Sequence, residues 1–326
     1  MILFLIILTA SFSLTFLVKV ITKKKLLDIP NERSSHVTPT PRGGGLAIAI
    51  TWFAGIIYLK ITGNIDENLF YALLSGVLIS SISFLDDIYT LKSLPRIIIH
   101  VISTIIALYF IGGLNKIDLG FFSIENKIIL NILAFVGIIW FINLFNFIDG
   151  IDGHSSSGAL FISLALFFFI KDTVLLTLAA SVLGFLPWNW QKAKIFMGDI
   201  GSTLLGFTIA VFLIYYNNNE QFSIVNGLII TAVFWFDATF TLIRRFLNKE
   251  NIGQAHRKHA YQRIVQYGFS HQKTVLLVAF INLLLFSLVY FSIYMEINNI
   301  ALLTMTILLL FSIYKLVDNK TPFKVD

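Results

Sequence analysis

The chain has 326 residues, of which 57% are hydrophobic and only 13% are charged, and its formal net charge is +6. A soluble domain has about 25% charged residues, so this composition excludes an ordinary soluble domain and indicates a polytopic membrane protein. The absence of cysteine excludes disulfide bonds, thiolate zinc sites and a cysteine nucleophile. The basic residues lie in short loops between apolar segments, which argues against nucleic acid as a partner.

Eleven apolar segments are long enough to approach a bilayer crossing, and we expect each to be an α-helix. In chain order they cover residues 2–21, 44–60, 69–85, 96–112, 128–147, 157–170, 173–187, 202–216, 224–243, 274–293 and 300–316. The first lacks the basic region and cleavage site of a signal peptide, so we expect a retained helix. The sequence predicts an all-α, polytopic membrane helix bundle of about eleven transmembrane helices, forming one integral membrane domain over residues 1–326.

The charges of the loops predict how the bundle is oriented. If the N-terminus lies outside, all but four of the 24 Lys and Arg residues fall on one side of the membrane. The four exceptions are Lys60, Lys116, Lys127 and Lys171. The positive-inside rule assigns the basic side to the cytoplasm. Every loop rich in Asp, Asn, His and Gly then faces the cytoplasm, and we expect the active site there.

An acidic pair ends the third apolar segment, where Asp86 and Asp87 are followed by Lys92 and Arg96. Adjacent carboxylates at a membrane boundary repel one another, and a cation or a nearby basic side chain lowers that cost. The pair is therefore a candidate site for a cation or a phosphate. A solvated helix end is the alternative interpretation.

The stretch NLFNFIDGIDGH, residues 143–154, ends the fifth apolar segment with an unusual set of polar groups. Asn143 and Asn146 are three residues apart and share a face of the helix end. Asp149 and Asp152 are separated by a glycine, so the chain is expected to turn and bring the two carboxylates together. Asparagine and carboxylate oxygens suit Mg²⁺, which also binds substrate phosphates. The alternative, a polar cap with a glycine turn, does not explain four such residues.

The stretch FMGDIGSTLLGF places Asp199 between two glycines, directly before the eighth apolar segment. Glycine permits close backbone approach, and the free amides of a helix N-terminus favour an anionic group. This stretch alone is a weak signal. Together with the two acidic stretches before it, it predicts a site for a magnesium-bound diphosphate.

Two loops add basic and histidine side chains to the same side. They carry Arg33, His36 and Arg42 in the first loop, and Arg244, Arg245, His256, Arg257, Lys258, His259 and Arg263 after the ninth segment. Two histidines and an aromatic residue within six positions suggest recognition of an anionic, ring-bearing ligand. The alternative is a basic loop that only sets the topology.

These four clusters, in this order, resemble the polyprenyl-phosphate N-acetylhexosamine-1-phosphate transferase family, glycosyltransferase family 4. The double Asp, the Asn-x-x-Asn-x-x-Asp-Gly-x-Asp-Gly element and the Phe-x-Gly-Asp-x-Gly-Ser element carry the resemblance. It covers nearly the whole chain. NERSSH followed by PTPRGGG looks most like the branch that initiates O-antigen and capsule synthesis, in the lipopolysaccharide and cell-wall pathways.

The resemblance implies a reaction and a role for each candidate residue. The phosphate of undecaprenyl phosphate attacks the β-phosphorus of a UDP-N-acetylamino sugar and releases UMP. Asn146 and Asp199 would bind Mg²⁺, with Mn²⁺ as an alternative. The Asp86–Asp87 pair would handle the lipid phosphate, and Asp149 and Asp152 would lie near the nucleotide. The candidates for substrate binding are Arg42, Lys92, His256, His259 and Arg263.

The resemblance also implies a multi-pass protein of the bacterial inner membrane, in contact with membrane lipid, and it leaves a homodimer open. One departure concerns the family's histidine triplet, where only His259 matches and Tyr261 and Gln262 replace the other two. Asp237 is costly to bury inside an apolar segment and is a functional candidate, unless it neutralises Arg244 or Arg245. The rival function is a secondary transporter for an anionic substrate, although the segment centres hold few ionisable residues.

Overall fold

A computed structural model describes residues 1–23, 26–30, 35, 38–254 and 256–324. Arg33 and His36 lie outside these residues. The described residues form fourteen α-helices and two short antiparallel hairpins. The helices are α1 (Ile2–Thr22), α2 (Gly45–Ile61), α3 (Glu67–Leu74), α4 (Gly76–Tyr89), α5 (Ser93–Ile111), α6 (Lys127–Phe147), α7 (His154–Ile170), α8 (Thr173–Asn189), α9 (Asp199–Asn218), α10 (Ile224–Ile230), α11 (Ala232–Leu247), α12 (Ala260–Gln266), α13 (His271–Tyr294) and α14 (Asn299–Lys320). The strands are β1 (Leu27–Asp28) with β2 (Thr40–Pro41), and β3 (Ile117–Asp118) with β4 (Ser123–Ile124). The predicted all-α fold is confirmed.

Among the described residues, seven helical segments are long and apolar enough to cross a bilayer, one of which combines α3 and α4. The α10–α11 pair makes an eighth if its 77° bend lies within one span. The helices α2, α7 and α8 have 17 residues each. At 1.5 Å per residue they are roughly 25 Å long, shorter than a hydrocarbon core of about 30 Å. The predicted count of about eleven is therefore not confirmed. The additional short helix α12 follows the basic loop, where no helix was predicted.

Successive membrane-spanning segments run in alternating directions, with α3 and α4 forming one segment, so their ends gather at two ends of the bundle. The polar end is the one where α4, α6 and α8 finish and where α5, α7 and α9 begin. At this end the backbone N–H groups of Gly44 and Gly45 donate to the carbonyl oxygens of Phe196 and Met197 at 2.9 and 2.8 Å. At the opposite end Asn218 Nδ2 donates to the carbonyl oxygens of Ile111, the last residue of α5, and of Gly113. The loops with the acidic clusters therefore meet at the polar end.

The most buried long helix is α9, and it packs against α2, α4 and α6. Glycines allow this close packing. A Cβ atom on Gly45 would lie 2.2 Å from the backbone nitrogen of Gly201, and one on Gly206 would lie 2.3 Å from the carbonyl oxygen of Phe141. Small residues let membrane helices approach backbone to backbone. The start of α9, which carries Asp199, is thereby fixed relative to α2 and α6.

We expect Gly45→Ala to destabilise the protein, because the added methyl group meets backbone atoms of α9 that cannot move away independently. Such overpacking costs about 1–3 kcal/mol. The matched control is Gly137→Ala in α6, where the new Cβ meets no atom within 4 Å. That variant should equal or exceed the wild type, since alanine is the better helix former by about 1 kcal/mol. Thermal unfolding midpoints in detergent measure both, and equal midpoints would contradict the close α2–α9 contact.

Candidate functional site

A cavity of about 410 Å³ opens at the polar end, between the loops that precede α7 and α9. Six residues that the sequence singled out line it: Arg42, Asp87, Asn146, Asp149, Asp152 and Asp199. Asn189, Gln262 and His271 also line it and were not selected from the sequence as site residues. The structure therefore joins three separated acidic stretches into one site.

Asp199 is the first residue of α9 and lies at the centre of a polar network. Its Oδ1 accepts a hydrogen bond from Asn146 Nδ2 at 2.8 Å, and its Oδ2 lies 3.0 Å from Arg96. The same guanidinium lies 2.6 Å from Asp86 Oδ2. The preceding Gly198 has φ +75°, a left-handed conformation that favours glycine. Arg96 thus connects the double Asp to the Gly-Asp element, a role that the sequence did not reveal.

The two members of the double Asp face different surroundings. Asp86 is occupied within the protein, because Leu91 N–H donates to Oδ1 at 2.6 Å and Arg96 contacts Oδ2. Asp87 lines the cavity and is only 4% exposed. Its backbone carbonyl accepts from Arg42 at 2.7 Å, and its Oδ2 is buried without a hydrogen-bond donor among the described residues. Of the pair, Asp87 is the one whose carboxylate reaches the cavity.

Asp149 lies in the loop after α6, outside the spans, and also lines the cavity. Burial raises the pKa of its carboxyl well above the usual value, and the charges of Asp199, Asp87 and Asp152 raise it further. Crowded carboxylates disfavour one another's ionised form. A cation in the cavity would relieve this repulsion.

Asp152 is held by two other segments. Its Oδ2 accepts from the Ala193 N–H at 3.2 Å and lies 3.2 Å from His271 Nδ1, at the start of α13. Asn189, the last residue of α8, also holds this turn, because its Oδ1 accepts from Gly153 N–H and from the Ser156 hydroxyl. The turn between α6 and α7 is therefore held in place by the end of α8, by the α8–α9 loop and by α13.

Tyr261 supports the turn from the other side. Its hydroxyl donates to the carbonyl oxygen of Phe147 at 2.8 Å, and its ring stacks on His154 with centroids 4.5 Å apart. Gly150 must be small, since a Cβ there would lie 2.3 Å from the Tyr261 hydroxyl. Burial, then the charges of Asp237 and Asp149, raise the pKa of this hydroxyl well above its usual value, so it stays a hydrogen-bond donor.

Four residues that were predicted to bind substrate do not line the cavity: Lys92, His256, His259 and Arg263. Lys92 is exposed at the N-cap of α5. His259 caps α12, and His256 Nδ1 accepts from the Lys258 N–H. Burial, then neighbouring positive groups, lower the pKa of His256 to about 3. Arg263 contacts Asp318 on α14 and donates to the carbonyl oxygen of Thr321. His259 and Arg263 are thus engaged within the protein by their positions at the start of α12 and within it.

Asp237 pairs with neither arginine, so the proposed neutralisation by Arg244 or Arg245 is wrong. Its Oδ1 accepts from the Ala260 N–H at 2.8 Å and lies 3.7 Å from His259. Arg244 contacts Asp318 at 2.9 Å, and Arg245 contacts Glu250 at 3.1 Å. Asp237 therefore holds the start of α12.

Comparisons with known proteins identify the family. Residues 69–217 match the family described as glycosyl transferase family 4, a range that contains all of the acidic clusters. The chain is 34% identical to the probable undecaprenyl-phosphate N-acetylglucosaminyl 1-phosphate transferase of Bacillus subtilis, over 77% of this chain and 73% of that protein. The chain belongs to this transferase family.

Two more distant relatives match over similar lengths. The chain is 28% identical to the decaprenyl-phosphate N-acetylglucosaminephosphotransferase of Mycobacterium leprae, over 76% of this chain and 72% of the relative. It is 27% identical to the undecaprenyl-phosphate alpha-N-acetylglucosaminyl 1-phosphate transferase of Thermotoga maritima, over 84% of each. Each match covers most of both chains, so the family assignment does not rest on one motif.

Proposed function

We propose that the protein transfers an N-acetylamino-sugar 1-phosphate from a UDP-sugar to undecaprenyl phosphate. The products are undecaprenyl-diphospho-sugar and UMP, and the reaction begins the synthesis of a cell-surface polysaccharide. The observation that carries the proposal is the convergence of Asp87, Asn146, Asp149 and Asp199 in one cavity at the end of a membrane bundle. Three relatives are named as transferases that act on a polyprenyl phosphate. NERSSH and PTPRGGG are similar to the O-antigen and capsule branch. This similarity does not identify the sugar, which experiment must determine.

In the proposed reaction an oxygen of the lipid phosphate bonds to the β-phosphorus of the donor, and the bond between that phosphorus and the bridging oxygen of UMP breaks. The lipid phosphate is anionic at neutral pH and needs no proton removed. Arg42 borders Asp87 in the cavity wall and lies where it can attract an anionic phosphate. Holding two anions in line is the main task of such a site.

The side chains around Asp199 fit a magnesium ion, with manganese as an alternative. Among the described residues no donor reaches the buried Asp87 Oδ2, and Asp149 and Asp199 would supply further oxygens. The side-chain nitrogen of Asn146 donates to Asp199 here. A rotation of the Asn146 amide by about 180° would instead place its oxygen on the side of Asp199, where it could bind the metal. When bound, Mg²⁺ neutralises charge on the diphosphate and stabilises the departing UMP. The described residues hold no preformed group of three His, Asp or Glu side chains for a metal, so substrate phosphates would complete its coordination.

We further propose that the polar end faces the cytoplasm of a bacterial cell, with the bundle in the inner membrane. The Lys/Arg-rich loops support this orientation. A transporter is disfavoured, because the acidic groups gather at the polar end rather than at mid-bilayer on broken helices.

We expect purified protein with undecaprenyl phosphate to release UMP from at least one UDP-N-acetylamino sugar. UDP-N-acetylglucosamine is tested first, because the relatives are named for that sugar. A 6-deoxy N-acetylamino sugar is tested next. The control omits the lipid phosphate and should give no UMP. Lack of UMP release across the panel would contradict the transferase.

Exhaustive EDTA treatment should abolish turnover in the same assay. Activity should return with Mg²⁺ or Mn²⁺ and return poorly with Ca²⁺, which prefers more ligands at longer distances than Mg²⁺. Full turnover in EDTA would contradict the proposed cofactor without contradicting the transfer reaction.

Asp199→Asn should keep the fold and lower turnover by roughly a hundredfold or more, since it removes a charged group from the proposed metal site. The matched variant is Asp237→Asn, which changes a buried carboxylate outside the cavity and should cost roughly tenfold or less. Both are measured as UMP release by protein with a wild-type unfolding midpoint. Equally severe losses would show that Asp237 has a direct role.

Single cysteines test the orientation, since the native chain has none. Lys192→Cys at the polar end and Asn219→Cys at the opposite end replace exposed residues. In intact cells a membrane-impermeant reagent should label only the second, and both should react after permeabilisation. Labelling of Lys192→Cys in intact cells would reverse the proposed orientation.

A further inference from the structure

The polar side chains that line the cavity differ in how far the protein itself uses their hydrogen-bonding atoms. Both polar atoms of the Asn189 side chain have partners within the protein, since Oδ1 accepts from Gly153 and Ser156 and Nδ2 donates to Ile195. His271 is engaged through Nδ1 only, and its Nε2 has no partner among the described residues. His271 therefore has a free hydrogen-bonding atom, whereas Asn189 has none.

Asp152 fixes the His271 ring. Oδ2 of Asp152 lies 3.2 Å from His271 Nδ1, and the Asp152 backbone nitrogen lies 3.3 Å from the same atom. The two side chains are 10% and 13% exposed, so the pair is largely shielded from solvent. His271 is the first residue of α13, a 24-residue helix whose positive N-terminal end favours the adjacent carboxylate. A carboxylate on one ring nitrogen sets the orientation of the other nitrogen.

The charges around His271 indicate what kind of group it would accept. Asp152 is its direct partner, and Asp149 lies in the same cavity wall, so this region disfavours a bare phosphate. The arginines near the cavity lie elsewhere, with Arg42 on Asp87 and Arg96 between Asp86 and Asp199. An uncharged hydroxyl can donate to or accept from an imidazole nitrogen without this repulsion.

We propose that His271 binds a ring hydroxyl of the nucleotide-sugar donor through Nε2 and that Asp152 is the positioning residue for the imidazole. The inference rests on the proposed function, since it assigns a further binding residue to the same site. The hydroxyl belongs either to the ribose or to the transferred sugar. UMP contains the ribose but not the sugar, so its inhibition constant distinguishes the two.

The test compares His271→Ala and His271→Gln with the wild type. Loss of one uncharged hydrogen bond should raise the donor KM about fivefold in His271→Ala. The KM for undecaprenyl phosphate should stay unchanged. His271→Gln keeps a polar amide near the position of Nε2 and should lie closer to the wild type. Gln272→Ala is the matched control, because that side chain is exposed on the same helical turn and does not line the cavity. If His271→Ala does not fold, His271→Phe makes the same comparison with the ring volume retained.

The inhibition constant of UMP distinguishes the two sources. A rise equal to the rise in donor KM places the hydroxyl on the ribose, and an unchanged constant places it on the sugar. A donor KM within twofold of the wild type, or an effect confined to the lipid KM or to kcat, would overturn the role of His271. Wild-type protein that releases no UMP would instead overturn the proposed function, so the two failures are separate.

Discussion

Mutual repulsion among crowded carboxylates is the constraint on which the site depends. Asp87, Asp149, Asp152 and Asp199 line one cavity, and burial together with the other three charges raises the pKa of Asp149. Arg96 offsets part of this cost, since one guanidinium contacts both Asp86 and Asp199. The arrangement is suited to a cation that binds together with an anionic substrate. The cation would offset the negative charge of the carboxylates, which otherwise disfavours binding of the substrate phosphates.

The backbone packing of α9 holds these charges in place. Asp199 begins the helix, and the glycine contact between α2 and α9 lies within a few residues of it. Backbone hydrogen bonds from Gly44 and Gly45 to the loop before α9 fix the same region. A larger residue at the contact would move the helix start relative to Asn146 on α6, whose amide lies 2.8 Å from the Asp199 carboxylate. Close helix packing is therefore a requirement of the site as well as of stability.

The sequence predicted the all-α bundle and the acidic clusters, because long apolar runs and closely spaced Asp, Asn and Gly residues are local signals. It also predicted a basic neighbour for the double Asp, which Arg96 supplies, but not the contact of Arg96 with Asp199. The contacts of Asn189 and His271 were not predicted either, since a single polar residue carries no sign of its distant partner. Helix breaks were also missed, because the apolar runs continue through Ser75 and Thr231 while the chain forms separate helices on either side. The roles of the cavity residues in binding or catalysis remain predictions.

The basic loop after α11 shows why a cluster of charge is a poor guide to a binding site. Arg244 and Arg263 share Asp318, and Arg245 contacts Glu250, so these positive groups are engaged within the protein. Asp237 then holds the start of α12. That helix brings Tyr261 beneath the turn at Gly150, where the hydroxyl donates to the Phe147 carbonyl oxygen. Tyr261 therefore supports the acidic turn from outside the cavity, through its hydroxyl and through its ring, which stacks on His154.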